Sequence, residues 1–114
     1  AEFYEEMASA GLTVFAPVTE QIAVADWGLA IESHFLHHLP GRALLQKGIE
    51  IDDPDASYQL THYMASFWPY DDDVRLIGEH IYEDATSRVI TKLDPATVVT
   101  PAMAAETANE LLRA

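Results

Sequence analysis

The chain has 114 residues, 49% of them hydrophobic, which fits one folded domain and argues against a disordered segment. Nineteen acidic side chains against six basic ones give a net charge of −13. Phosphate neutralisation needs Lys and Arg, so nucleic-acid binding and docking on anionic membranes are disfavoured. Cysteine is absent, which removes disulfides, thiolate metal centres and cysteine nucleophiles and leads to the expectation of a cytoplasmic protein.

No stretch reaches the roughly 18 apolar residues of a transmembrane helix. The opening AEFYEEMASAGL lacks the basic start and apolar run of a signal peptide. Residues 1–12 read as a short helix or a loose arm, and 1–16 as an N-terminal arm that ends at the Ala16–Pro17 break.

The segment Thr19–Leu39 reads as one long helix. At about 100° per residue, its apolar side chains cover roughly half the wheel. That breadth exceeds one core contact and suggests cover on two sides, including by another chain. Pro40–Gly41 would end this helix. Arg42–Gly48 would add a further helical turn, and Ile49–Ile51 would be extended.

Asp52-Asp53-Pro54-Asp55 carries a helix-start pattern, with Asp53 as N-cap and Pro54 at the first helical position. A second helix is therefore expected over Pro54–Phe67, stopped by Trp68-Pro69-Tyr70. Asp71–Asp73 reads as a solvated loop.

Val74–Glu83 and Arg88–Leu93 alternate around Asp84-Ala85-Thr86-Ser87, which predicts an antiparallel hairpin. Pairing Glu83 with Arg88 also aligns Ile81 with Ile90 and Glu79 with Lys92. The opposite face, with Val74, Leu76, Tyr82, Val89, Leu93 and His80, is expected to be buried. A lone hairpin is marginal, so a third strand from Ile49–Ile51 or Thr13–Phe15 is expected to join it. Thr100 and Pro101 open a final helix over Pro101–Leu112. The expected architecture is a single helix-rich α+β domain over 1–114: a long N-terminal helix, a second helix, one hairpin and a C-terminal helix.

No sequence motif names a reaction. Glu32 would lie inside the apolar arc of the long helix, where a carboxylate must be paired or change its protonation. Arg42 or Lys47 is the plain partner; a contact with another chain or an acid–base role is the functional alternative. His34 and His38 stand i, i+4, with His37 between them, a spacing that lets two imidazoles share a metal on a helix. A third ligand, such as His62 or His80, would be needed, and a polar helix face is the simpler account, so no metal and no cofactor is predicted. His80 would sit hydrogen-bonded on the buried face of the hairpin. The acidic runs 52–55 and 71–73 lack the glycine and distal glutamate of a calcium loop.

Two functions follow. The first is a non-catalytic accessory or scaffold subunit that self-associates or docks on a larger complex. Its interface would use Ile22, Trp27, Leu29, Ile31, Glu32, Phe35, Leu36, Leu39, Phe67, Trp68 and Tyr70, because aromatic side chains anchor interfaces. The second is a small α+β enzyme or a binding domain for a nonpolar ligand, with Glu32 and His80 in its pocket. A pocket of that kind needs a sheet larger than one hairpin.

Overall fold

The computed structural model describes residues 14–113. It is built on four antiparallel strands in the order β1-β2-β3-β4: β1 Phe15–Ala25, β2 Gly28–Pro40, β3 Ser57–Pro69 and β4 His80–Lys92. Helix α1, Gly41–Gln46, lies between β2 and β3; helix α2, Pro101–Arg113, follows a 3-10 turn at Pro95–Thr97. Strand accounts for 52% of this structure and helix for 22%, which corrects the helix-rich expectation.

The expected long helix Thr19–Leu39 is instead a hairpin of β1 and β2 across Asp26-Trp27. Its apolar breadth has a simple cause. Leu29, Ile31 and Phe35 alternate with Ala30 and Leu36, so both faces of a strand are apolar, and a helical wheel merges them into one wide arc. Gly28 makes the reversal possible. Its φ is +151°, and a Cβ there would lie 2.1 Å from the Trp68 carbonyl oxygen. Only glycine allows that backbone approach.

The second expected helix, Pro54–Phe67, is also a strand. Asp53 does accept a hydrogen bond two residues on, from Asp55 N–H at 2.9 Å, but the result is a turn leading into β3. Asp at a helix N-cap and Asp in such a turn use the same side-chain chemistry. The following SYQLTHYMASFW is rich in aromatic and alternating residues that suit a pleated surface.

The expected hairpin over Val74–Leu93 is one continuous strand, β4, preceded by irregular chain with a single bridge between Tyr70 and Leu76. Asp84 Oδ1 accepts from Thr86 N and Oγ1 at 3.0 and 2.6 Å, a turn closed inside the strand. The face expected to be buried is open: Val74, Leu76, Tyr82, Val89 and His80 are all exposed. Ile49–Ile51 forms no strand; Phe15 begins β1, whereas Thr13, like most of the expected arm, lies outside the described residues. The last helix forms as expected, with Thr100 Oγ1 accepting from Met103 N at 3.2 Å. No helix among the described residues is long and apolar enough to cross a membrane.

Two compact units arise from these elements. The first draws on Phe15, His37–Leu60 and the chain from Ile90; the second on Ala16–Leu36 and Thr61–Val89. The first unit holds an apolar core of Leu39, Leu44, Tyr58 and Leu60, flanked by Ile49, Ile51, Ala56 and Ile90. Backbone bonds fasten α1 to the turn before β3, from Gly41 N to Ala56 O at 2.8 Å and from Arg42 N to Pro54 O at 3.1 Å. The Tyr58 hydroxyl donates to Asp52 Oδ1 at 2.5 Å, and Lys92 Nζ lies 3.5 Å from the other oxygen of Asp52.

Candidate functional site

The second unit carries the chemistry, and β3 divides it into two faces. Alternate side chains of a strand point to opposite sides. His62 and Ser66 are buried, as is Ser33 of β2. Tyr63 and Phe67, each the next residue along β3, are exposed.

The closed face centres on an ionic chain of three residues. His62 Nδ1 contacts Glu83 Oε2. Arg88 grips the same carboxylate with two bonds, Nε to Oε2 at 3.1 Å and Nη2 to Oε1 at 2.5 Å. A carboxylate only accepts, so the proton between His62 and Glu83 sits on Nδ1. The side chain of His62 is 7% exposed and that of Glu83 28%. Arg88 holds the Glu83 carboxyl below its ordinary range, His62 adds to this, and partial burial opposes both. The same pair raises the Arg88 guanidinium. Glu83 and Arg88 thus meet as the alternation suggests, but within one strand. An odd separation would put them on opposite faces of a regular strand, and the turn at Asp84–Ser87 shifts the alternation between them. Farther along β3, the Trp68 indole Nε1 is buried without a hydrogen-bond partner, a costly state for a donor.

The open face is aromatic, with acidic side chains at its hollows. Trp27 and Phe67 have ring centroids 6.3 Å apart, and Phe67 meets Tyr82 edge-on at 6.1 Å. His34 stacks on Tyr63 at 4.4 Å with an interplanar angle of 13°. Between these ring groups lie Ala30, Glu32 and Ala65. A hollow of about 440 Å³ borders Ile22, Ala30, Glu32, Ala65 and Phe67. A second, of about 600 Å³, borders Glu32, Tyr63, Ala65 and Tyr82 and also the acidic residues Glu83 and Asp84. Every residue of β1 is exposed, so its apolar Val18, Ile22 and Val24 extend the uncovered surface.

The residues singled out from sequence fall in several places. Ile22, Trp27, Glu32 and Phe67 are exposed in the second unit. Leu29, Ile31, Phe35, Leu36, Trp68 and Tyr70 are half-buried, and Leu39 belongs to the core of the first unit. Glu32 does not sit in an apolar interior; it is exposed, and Arg42 pairs with Asp55 at 2.5 Å. His80 is exposed at the start of β4 rather than buried. His34 and His38 lie on a strand, where a four-residue spacing spans about 13 Å and cannot hold one ion. His38 Nδ1 instead accepts from Val99 N at 3.1 Å. Among the described residues, no group of three or more His, Asp or Glu could hold a metal. Tyr63 and Ala65 escape a helical reading of Pro54–Phe67, although period-two alternation in that segment separates them from His62 and Ser66; Tyr82, expected on the buried face of the hairpin, is exposed.

The chain matches no family model, no curated protein and no solved structure.

Proposed function

We propose that this protein works by contact, as an accessory or scaffold subunit whose open sheet face seats another protein surface. The observation that carries this reading is the ring group Trp27, Phe67 and Tyr82, with Trp27 48% and Tyr82 63% exposed. Contiguous exposed apolar surface of this kind marks interaction sites on folded proteins. Its aromatic content matches the side chains that dominate interface energies. The face belongs to a sheet, not to the helix that the sequence suggests. Native mass spectrometry of the protein with its co-purifying partners tests the reading. A multiple of 12.6 kDa, or a larger complex, is expected; a bare monomer that takes up no partner would overturn it.

A second reading rests on the closed face. A sheet of four strands is large enough to back a pocket, and the Arg88–Glu83–His62 chain orients a buried imidazole as acid–base sites do. In this reading the polar groups of the site are His62 and Glu83, in place of Glu32 and His80. A small bound molecule that co-purifies with the wild type, and is lost in both His62→Gln and Glu83→Gln, would establish this function. Retention of that molecule in both variants would dismiss it.

A further inference from the structure

We infer that the occupant of the open face is a basic segment of another protein, which brings a lysine or arginine to Glu32 and Asp84 and an apolar side chain to Phe67. The inference rests on the contact reading above and names the chemistry of the partner.

Charge is the first argument. The second unit, Ala16–Leu36 with Thr61–Val89, has Arg75 and Arg88 as its basic side chains besides histidines. Both are taken. Arg75 pairs with Asp71 and Asp73, and Arg88 pairs with Glu83. Glu20, Asp26, Glu32, Asp72, Glu79 and Asp84 have no basic partner among the described residues. The unit therefore cannot neutralise its own surface. A chain at −13 repels a second copy, a nucleic acid and an anionic membrane, and it draws a cationic surface in.

The hollows supply the second argument, because they ask for different side chains. The larger one borders Glu32, Glu83 and Asp84 together with Tyr63 and Tyr82. Arg88 already neutralises Glu83, so an occupant meets the charges of Glu32 and Asp84, both exposed. A cation there gains from the carboxylates and from the tyrosine rings beside them. The smaller hollow borders Ile22, Ala30, Ile31 and Phe67, and suits an apolar side chain. Glu32 and Ala65 border both hollows. One chain segment carrying a basic and an apolar side chain fills the two at once, and the stem of a lysine or arginine can cover apolar surface on the way. A small ammonium ion fills one hollow and leaves the rings of Trp27 and Phe67 in water.

The test uses the full chain and short labelled peptides that alternate lysine with leucine, or glutamine with leucine, followed by fluorescence anisotropy. The lysine peptide should bind several-fold tighter than the glutamine peptide, and added salt should weaken it, as screening requires. Equal affinities, or binding that strengthens with salt, would overturn the inference. Glu32→Gln should weaken the lysine peptide by about threefold to tenfold, while Glu106→Gln on the exposed helix α2 should not. Equal losses in the two variants would mean that net charge alone holds the peptide, and would overturn the site. Displacement of the peptide by tetramethylammonium at matching concentration would replace the segment with a small cation. A photo-crosslinking phenylalanine analogue at position 82, in the cells that make the protein, should trap a protein through a basic segment. A self-adduct of twice 12.6 kDa, or an adduct through a segment without lysine or arginine, would overturn the basic partner and leave the contact reading intact. Absence of any adduct would overturn both.

Discussion

The carboxylate of Glu83 holds the imidazole of His62 while Arg88 grips it from the other side. The folded state thereby lowers the Glu83 pKa. A depressed carboxyl contributes stability that is fully present above its unfolded value and is lost as pH falls through the folded value. Wild type should therefore lose stability as pH drops below about 4.3, the ordinary glutamate value. Glu83→Gln should flatten that loss. Denaturant titrations at several pH values would read it, and an unchanged acid slope in Glu83→Gln would refute the assignment. Arg88→Ala at neutral pH should cost about 1.5–3 kcal/mol, the range for hydrogen bonds to charged groups.

The first unit depends on a small core. Leu44 has no exposed surface, and Leu44→Ala should cost about 2–5 kcal/mol in chemical denaturation. The Tyr58 hydroxyl donates to Asp52, which raises the tyrosine above its usual range and lowers the carboxyl. Spectrophotometric titration should find Tyr58 ionising above the ordinary tyrosine range, and Asp52→Asn should lower it.

Two turn residues should respond in opposite directions. Gly28→Ala forces a Cβ onto the Trp68 carbonyl, so thermal unfolding should occur at a clearly lower temperature. Val74 is a β-branched residue at φ 61° and 78% exposed. A non-glycine residue there stores about 1–3 kcal/mol of strain. Val74→Gly should therefore raise the melting temperature, despite the greater chain entropy that glycine brings to the unfolded state. A lower melting temperature would mean that the side chain contributes more than its backbone costs.

Local signals in the sequence are legible where one side chain acts on its own backbone. Thr100 caps α2, and Asp53 and Asp84 each bond the N–H two residues on. Glu83 and Arg88 are also recognisable as neighbours. The class of the long elements is not legible by the same route. Asp53-Pro54 serves a helix start and a turn equally well. A strand apolar on both faces mimics a wide helical arc, so Thr19–Leu39 and Pro54–Phe67 acquire the wrong period. That error carries Glu32 inward and pairs His34 with His38, while the expected hairpin is what carries His80 inward. The open face is invisible for the same reason, since Ala30, Glu32, Tyr63, Ala65 and Phe67 share a side only with a period of two.

Hydroxyl-radical footprinting, with partners retained and then after high dilution, tests the contact face most directly. Association predicts that Trp27, Phe67 and Tyr82 are protected in the concentrated, assembled sample and become several-fold more reactive on dilution, while Met103 on α2 does not change. Equal reactivity of the three rings in both samples would mean that nothing covers the face, and would contradict the account.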